Sequence, residues 1–344
     1  MSSRRRTTST SPITVLQSTN APDGTTRYID QIVTDASDAT RFVYFSWSEA
    51  LFGRWDAFHV HWPETLVTSP RPAVRAIKSG LVWVLVQRAR LLRRPIVRTL
   101  HNLEPHEWHS RIEHAAMRLI DRHTTTFILI NRHGSGEGPK NAVTIMHGHY
   151  RSRFASHPRS TTEPGLAIFF GMIKPYKNVG KLIEAFRGIP ADGAHRRLRV
   201  VGKSDPQTRQ QLTTVAADDD RVSFRFEFVD DESLVREVTA ASLAVLPYTE
   251  LYNSGVALVA LSLGIPILVP ASASATELAR EVGEGWVHTF TGEIDSMQLA
   301  AALEAATLHP PTAEPQLDGR SWETVAAQHE AAYRQAIAIK RGDD

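Results

Sequence analysis

The stretch LAIFFGMIKPYKNVGKLIEAF, residues 166–186, decides the fold of the second half of the chain. An apolar run of strand length, Leu166–Phe170, ends at Gly171 and is followed by a basic loop that contains Lys174 and Lys177. Apolar residues then recur with the spacing of an amphipathic helix, at Val179, Leu182, Ile183 and Phe186. The stretch therefore predicts a strand, a glycine turn and a helix.

The loop between this strand and this helix suits a phosphate group. A glycine lets the backbone approach an anion closely, and a helix N-terminus directs N–H groups and a partial positive charge at it. Lys174 and Lys177 add two full charges. At the end of the next predicted strand, Gly202 and Lys203 offer a second place where a nucleotide can approach the backbone closely.

A second stretch, LPYTELYNSGVALVALSLGIPILVP at residues 246–270, also places a helix start just after a strand. The predicted helix begins with four residues whose backbone N–H groups are suited to hold a distal phosphate: Asn253, Ser254, Gly255 and Val256. Glu250 lies in the loop before them. Its carboxylate either faces a ligand or complements the positive end of the helix dipole.

Apolar runs of strand length alternate with helical patterns along the whole sequence. In the first half the predicted strands are Ile13–Gln17, Phe42–Ser46, Ala57–His61, Ile96–Leu100, Thr126–Ile130 and Val143–Met146. In the second half they are Leu166–Phe170, Leu198–Val201, Val222–Phe228, Leu243–Leu246, Pro266–Val269 and Trp286–Phe290. This alternation predicts parallel sheets covered by helices on both faces. Functional residues are expected just beyond the carboxyl ends of the strands, where such sheets bind ligands.

Length and composition indicate a globular protein of about two domains. The 344 residues include no cysteine, which excludes disulfides and thiolate ligands and is compatible with the cytoplasm. No apolar run reaches the roughly twenty residues that a membrane span requires. The opening MSSRRRTTSTSP, residues 1–12, is basic and polar without an apolar core. We therefore expect a disordered basic tail there and not a secretory signal.

Charge is distributed unequally between the two halves. Residues 1–160 hold 22 basic and 12 acidic residues, a net charge of +10, whereas residues 161–344 hold 17 and 25, a net charge of −8. The positive charge is densest around the apolar run GLVWVLV, on Arg71, Arg75, Lys78, Arg88, Arg90, Arg93, Arg94 and Arg98. Residues 71–98 form either a basic helix that lies on an anionic membrane surface or a core helix with a solvated end. Nucleic-acid binding is not expected, because no groove-reading or base-stacking element accompanies the charge.

Three histidine-rich segments follow predicted strands of the first half: FHVHWPE at 58–64, TLHNLEPHEW at 99–108 and MHGHY at 146–150. Zinc binding is not expected, because no pair of histidines has the compact helical spacing of a zinc motif. Imidazoles, an amide and an indole ring are suited instead to bind a sugar. The candidates for acceptor binding are His61, Trp62, Asn102 and His149. Any of these histidines is alternatively a buried hydrogen-bonding partner.

Together these segments resemble a GT-B glycosyltransferase of the family 4 type, with similarity to bacterial mannosyltransferases of exopolysaccharide assembly. The resemblance runs from ITVLQS at Ile13 to RSWETVAAQHEAAYRQA at 320–336. It implies two Rossmann-like domains with parallel sheets that face each other across a cleft. The acceptor-binding domain is expected at 13–160 and the nucleotide-sugar domain at 161–319. Residues 320–344 are expected to form a helix that crosses back to the first domain.

The resemblance also assigns roles to residues of the donor site. Lys177 takes the place of the phosphate-binding lysine of the family, and Lys174 supplies a charge usually given by an arginine, whose position Met172 occupies. The family usually has two glutamates separated by seven residues. Glu250 resembles the first, one residue early, and Val259 stands at the position of the second. The resemblance therefore does not extend to the ribose contact of the second glutamate.

On the acceptor side, His101 resembles the histidine that contacts the transferred sugar, and His147 resembles part of the hinge-side loop near the donor phosphates. Glu64 and Glu107 are candidates for a general base, which an inverting transfer requires and a retaining transfer does not. The leaving nucleoside diphosphate is expected to be stabilised by the lysines and by backbone N–H groups, without a metal cofactor.

The sequence thus predicts a metal-independent hexosyltransferase, with mannose favoured, that uses a saccharide or lipid-linked acceptor in cell-surface or exopolysaccharide assembly. The expected location is the cytoplasm, with peripheral binding to the inner face of the membrane. Two alternatives remain open: a nucleotide-sugar hydrolase or epimerase of the same fold, and a noncatalytic polyanion-binding relative. No residue distinguishes the donor nucleotide or the anomeric outcome.

Overall fold

The computed structural model describes residues 11–24, 27–101, 110–131, 139–191, 195–249 and 255–342. The chain forms two compact units, of which the first comprises residues 1–147 and 319–344 and the second residues 148–318. The tail expected at residues 1–12 lies almost entirely outside the described ranges. Within those ranges, no helix combines the length and the apolar character needed to cross a membrane.

The first unit is built on a six-stranded parallel sheet in the order β2-β1-β3-β4-β5-β6. Its strands are β1 (Ile13–Gln17), β2 (Thr40–Tyr44), β3 (Ala57–Val60), β4 (Ile96–Leu100), β5 (Thr124–Leu129) and β6 (Ala142–Thr144). The helices between them are α1 (Arg27–Thr34), α2 (Trp47–Phe52), α3 (Pro63–Val67), α4 (Pro72–Leu91) and α5 (Arg111–His123). Every residue of β3 is buried, as expected for a central strand covered on both faces.

The second unit repeats this plan with the strand order β12-β11-β10-β7-β8-β9, again parallel throughout. Its strands are β7 (Leu166–Phe170), β8 (Arg197–Val201), β9 (Val222–Arg225), β10 (Leu243–Val245), β11 (Ile267–Pro270) and β12 (Val287–Phe290). Its helices are α6 (Arg151–Phe154), α7 (Val179–Arg187), α8 (Pro206–Ala216), α9 (Asp231–Thr239), α10 (Gly255–Ser262), α11 (Ala273–Val282) and α12 (Ser296–Leu308). A short 3₁₀ turn, Pro175–Lys177, precedes α7.

Each of the twelve predicted strands has a counterpart in the described part of the chain. The largest difference at a carboxyl end is in β9, which was expected to reach Phe228 and ends at Arg225. The reason is that β9 lies at the edge of its sheet and pairs with β8, which itself ends at Val201. Beyond that point Phe226 stacks on Phe224 and packs against the apolar core.

The change from the first to the second unit comes at Gly148, earlier than the boundary at residue 160 that the sequence suggested. Residues after 148 bond within the second unit. The Tyr150 N–H donates to Ser262 Oγ at 2.8 Å, Arg153 pairs with Asp231 at 2.6 Å, and Arg159 donates to the Leu263 carbonyl at 2.6 Å. Residues 148–160 therefore belong to the second unit and not to the first.

A final helix, α13 (Trp322–Arg341), belongs to the first unit. It packs on α1 and on the strands β3, β4 and β5. Its buried face includes Trp322, His329 and Tyr333. The sequence expectation of a terminal helix that joins the first half corresponds to this element, which begins at residue 322.

Candidate active site

Three polar side chains from neighbouring strands of the first unit form a hydrogen-bonded chain. Gln17 ends β1, His61 follows β3 and His101 follows β4, and these strands are adjacent in the sheet. His61 Nε2 lies 2.8 Å from Gln17 Oε1, and His61 Nδ1 lies 3.1 Å from His101 Nε2. The three residues meet because the carboxyl ends of parallel strands share one edge of the sheet.

These hydrogen bonds indicate which ring nitrogens carry protons. The carbonyl oxygen of Gln17 only accepts, so His61 donates through Nε2–H and accepts through Nδ1. His101 then donates its Nε2–H to His61, and its own Nδ1 is an acceptor. Burial, with nearby histidines and Arg98 as further causes, lowers the pKa of His101 to about 3. His101 is therefore a neutral ring at pH 7 that is suited to accept a hydrogen bond from a sugar hydroxyl.

A second layer of hydrogen bonds lies beneath His61. His59 is fully buried, with Nε2 2.8 Å from Thr99 Oγ1 and Nδ1 2.7 Å from the Tyr333 hydroxyl. His329 bonds through Nδ1 to a carbonyl of its own helix at 2.8 Å. Burial lowers the pKa of all these rings. We refer to the four rings as the histidine cluster: His59, His61, His101 and His329. His59 supports the site from within the core.

Aromatic rings enclose His101. Trp62 stacks on it, with ring centres 4.3 Å apart and planes 19° apart. Tyr28 meets His101 edge-on at 5.0 Å and also contacts His147 and Trp322. His147 is 8% exposed and packs against Trp322 at 5.6 Å. These contacts place His147, predicted to lie near the donor phosphates, inside the aromatic wall of the first unit.

A cavity of about 640 Å³ opens beside this wall. It lies at the carboxyl ends of β1, β2 and β3, and its lining includes Ser18, Asp30, Trp47, Trp62 and Lys78. Trp62 therefore contacts both the cavity and the His101 ring. The cavity combines indole faces with polar groups, which is the composition expected of a sugar site.

Glu64, one of the two predicted general bases, does not line this cavity. It lies on the short helix α3, and its charge acts on Arg98. Burial lowers the pKa of Arg98 to about 10, and the negative charge of Glu64 opposes that decrease. The structure thus places Glu64 near a buried cation and away from the cavity wall.

The other predicted acceptor-side residues lie elsewhere or outside the described ranges. His149 is half-buried in the second unit, where its Nδ1 lies 3.4 Å from the Arg151 N–H. Five predicted site residues lie outside the described residues: Asn102, Glu107, Glu250, Asn253 and Ser254. Their assignments stay sequence-based predictions.

In the second unit, two glycines that follow adjacent strands allow the backbones of the two strand-end loops to approach each other closely. Gly171 follows β7 and Gly202 follows β8. A Cβ atom on Gly202 would collide with the carbonyl oxygen of Gly171. Gly171 itself has a φ of +106°, which side-chain-bearing residues rarely adopt. The close approach leaves a glycine-lined edge at the carboxyl end of the sheet, as predicted for a bound nucleotide.

Lys177 is directed at this glycine edge. Its Nζ lies 3.9 Å from the Cβ position of Gly171 and 5.5 Å from the centre of the Tyr248 ring. Val256, at the start of α10, comes within 3.5 Å of the same Cβ position. Burial lowers the pKa of Lys177 to about 8. A desolvated ammonium beside the N-terminus of α10, which begins at Gly255, is well suited to hold a phosphate.

Two further lysines of the predicted donor site differ from Lys177 in their burial. Lys174 and Lys203 are exposed. The Lys203 carbonyl accepts a hydrogen bond from the Ile173 N–H at 2.9 Å, which ties the two strand-end loops together. Of these three lysines, Lys177 is the half-buried one, and its ammonium lies beside the glycine edge.

Several residues of these sites were not singled out from the sequence. Gln17 and Tyr248 follow or end strands, so the rule that placed His101 would have found them. Tyr28, His329 and Tyr333 had no such signal, because they lie on helices far along the chain from the residues that they contact. Among the described residues, no group of three or more His, Cys, Asp or Glu side chains is arranged to hold a metal ion.

Comparisons with known proteins give a consistent picture. Residues 164–307 match the family model "Glycosyl transferases group 1". Over 333 residues the chain is 39% identical to a GDP-mannose:glycolipid 4-beta-D-mannosyltransferase of Xanthomonas campestris pv. campestris, covering 96% of this chain and 94% of that protein.

Solved structures resemble the chain along nearly its whole length. The Anabaena protein Alr3699/HepE in complex with UDP has a TM-score of 0.60 at 17% identity, covering 97% of this chain and 100% of that one. Sucrose-phosphate synthase from Thermosynechococcus elongatus has a TM-score of 0.65 at 16% identity, covering 96% and 100%. At these identities the likeness concerns the fold.

Proposed function

Since this chain belongs to the group 1 glycosyltransferases and has their GT-B fold, we propose that it transfers mannose from GDP-mannose to a glycolipid. The bond formed is a β-linkage to the 4-hydroxyl of the acceptor. The observation that carries this proposal is the 39% identity to a mannosyltransferase of that specificity over 96% of this chain.

The second unit supplies the groups that such a reaction needs on the donor side. When the sugar leaves, negative charge develops on the diphosphate, and preorganised donors stabilise that charge in the transition state. Lys177 and the N–H groups at the glycine edge and at the start of α10 supply such donors. We propose that they act without a metal cofactor, because the lysine provides the positive charge that a metal ion provides in other transferases.

The first unit supplies the sugar contacts. His101 is held by His61 and covered by Trp62, so its ring has one orientation and one tautomer. Its acceptor nitrogen is suited to bind a hydroxyl of the transferred mannose. The cavity beside Trp62 is suited to bind the saccharide of the acceptor.

The helix α4 is proposed to lie on an anionic membrane surface at the cytoplasmic side, where a glycolipid acceptor is found. Ile77, Trp83 and Leu91 are each more than half exposed and lie on one side of the helix. Phe52 on α2 and Ile112 on α5 are further exposed apolar residues on helices that pack against α4. Exposed apolar residues of this kind favour insertion at a lipid interface.

The structure also indicates which basic residues of 71–98 are exposed beside that apolar face. Most of the eight basic residues at 71–98 have partners within the unit. Arg75 pairs with Glu113 and Lys78 donates to the Thr68 carbonyl. Arg88 and Arg94 lie over the Trp55 ring, Arg90 donates to Gln87, and Arg98 pairs with Asp121. Arg71, Arg90 and Arg93 are exposed at the two ends of α4. The lipid phosphates are therefore expected at the ends of the helix and the acyl chains along its middle.

The test of the function is a transfer assay with GDP-mannose and a glycolipid extract of bacterial membranes. We expect mannose in the lipid fraction, with GDP released in equal amount, in the presence and absence of EDTA. UDP-glucose in place of GDP-mannose is the control donor. GDP release that does not depend on the extract would indicate a hydrolase, and no turnover of GDP-mannose would refute the proposal.

The membrane proposal has its own test with vesicles that contain phosphatidylglycerol. Trp83→Ser and Leu91→Ser are expected to weaken sedimentation with these vesicles several-fold. Phe228→Ser is the matched control, because Phe228 is also exposed and lies in the second unit. Equal weakening by all three variants would contradict a specific role for α4.

A further inference from the structure

We infer that the carboxylate of Asp30 is the general base that removes the proton of the acceptor hydroxyl. This inference rests on the proposed mannosyl transfer and deepens it. Neither the family resemblance nor the sequence pattern pointed to Asp30. Of the two glutamates predicted for this role, Glu64 does not line the cavity and Glu107 lies outside the described residues. What points to Asp30 is its place in the wall of the acceptor-side cavity.

The chemistry of the proposed reaction requires a base. The sugar of GDP-mannose is α-linked to phosphate, so a β-linked product means inversion at the anomeric carbon. The acceptor oxygen attacks C1 as the bond between C1 and the phosphate oxygen breaks, and that electron pair leaves with GDP. The hydroxyl proton is lost in the same step, and a carboxylate on the acceptor side is suited to take it.

Asp30 has the burial expected of such a group. It lies in the first turn of α1, between residues whose side chains are packed in the core, and is 6% exposed. A carboxylate in a first turn often serves only to complement the helix dipole. That role needs no burial, and burial of a charge carries a desolvation cost. Asp23, the other carboxylate among the described lining residues, is exposed to solvent.

The neighbours of Asp30 in the cavity connect it to the sugar site. Trp62 lines the same cavity and stacks on His101 at 4.3 Å. Ser18, also in the lining, accepts a hydrogen bond from the His61 N–H at 2.9 Å. A saccharide bound in the cavity therefore contacts the wall that carries both the Asp30 carboxylate and Trp62, the ring that covers His101.

The surroundings of Tyr44 are consistent with this place of Asp30. Tyr44 ends β2 at the same edge of the sheet as the cavity. Burial raises the pKa of Tyr44, and the negative charge of Asp30 raises it further. The carboxylate is thus close enough to the strand ends to act electrostatically on groups there. This supports a position at the reactive edge and adds to the geometry of the cavity.

The experiment compares Asp30→Asn with wild-type protein, using GDP-mannose and a bacterial glycolipid extract. We expect turnover to fall by roughly 10²- to 10⁴-fold, the usual contribution of a general base. The dissociation constant of GDP-mannose is expected to stay within about twofold of wild type, since Asp30 is not among the residues proposed to hold the donor. The melting temperature is expected to stay within about two degrees, because Asn has nearly the shape of Asp. Asp38→Asn is the matched control, because Asp38 is exposed and lies outside the cavity.

A second variant keeps the inference testable if Asp30→Asn perturbs the fold. Asp30→Ala with added sodium formate is expected to recover turnover at least about tenfold, because formate restores a base and repairs no structural defect. Turnover of Asp30→Asn within about fivefold of wild type would overturn the inference. The inference would also be overturned if Asp23→Asn lost turnover while Asp30→Asn kept it, or if wild-type protein formed an α-linked product. Absence of any mannosyl transfer by wild-type protein would instead refute the proposed function, and the inference with it.

Discussion

Loss of the positive charge on Lys177 is expected to weaken the binding of GDP-mannose. Because this lysine loses its proton as the pH rises, the affinity is expected to depend on pH. Burial lowers the pKa of Lys177 to about 8 in the ligand-free protein. Below that pH the ammonium is charged and binds the diphosphate, and as the pH rises through about 8 the proton is lost. At pH 9 about a tenth of the molecules keep the charge, so the dissociation constant is expected to rise about tenfold, or about 1.4 kcal/mol, relative to pH 7.

The assay is isothermal titration with GDP-mannose between pH 6.5 and 9. The diphosphate of this ligand has no ionisation in that range, so its charge is constant. Lys177→Met is expected to cost roughly 10²- to 10³-fold in turnover and to remove the pH dependence of binding. Lys177→Arg is the matched control, because a guanidinium stays charged throughout. Wild-type affinity that is constant from pH 7 to 9 would refute the reasoning.

Three further predictions rest on contacts inside each unit. Gly202→Ala is expected to cost at least about 2 kcal/mol in unfolding free energy, because its Cβ collides with Gly171; Gly80→Ala, on an open helix surface, is expected to stabilise by about 0.5–1 kcal/mol in the same thermal melts. Gln17→Leu is expected to lower turnover about tenfold or more while GDP-mannose still binds, because His61 loses the acceptor that sets its tautomer; unchanged turnover would contradict this. The histidine cluster predicts loss of stability in acid: its folded pKa values are lowered, so the unfolded chain binds more protons, and the unfolding free energy falls as pH decreases below about 6.5, by up to about 1.4 kcal/mol per pH unit for each ring. Urea titrations at pH 7.5, 6 and 5 measure that decrease, and a flat profile would exclude it.

The sheets were predictable because their signal is local. A central strand such as β7 is a continuous apolar run that ends at a glycine, and both features are visible within six residues. The strand-end rule then placed His101 and Lys177, since in parallel sheets the position after a strand is also the position at the ligand edge. The positions of these two residues at the edge of a sheet were therefore predictable without the structure.

The remainder of the site depends on contacts between distant parts of the chain. Tyr333 forms a hydrogen bond with His59, 274 residues away in the sequence, and no sequence pattern near either residue indicates the pair. Asp30 is one acidic residue in a helical first turn, and only the fold shows that it is buried at a cavity wall. The ion pair of Arg98 could not be foreseen for the same reason, because its partner Asp121 lies on α5.

The divided first unit has a consequence for the order in which the protein matures during synthesis. Its two segments, residues 1–147 and 319–344, are separated by the whole of the second unit, which is continuous in sequence. Domains generally fold as units while the chain emerges from the ribosome. The second unit can fold once residue 318 has left the ribosome. The first unit cannot complete its core until α13, which packs on its sheet and holds His329 and Tyr333, has been synthesised. A premature stop in the last tenth of the message would therefore spare the second unit and leave the first as a target for chaperones and proteases.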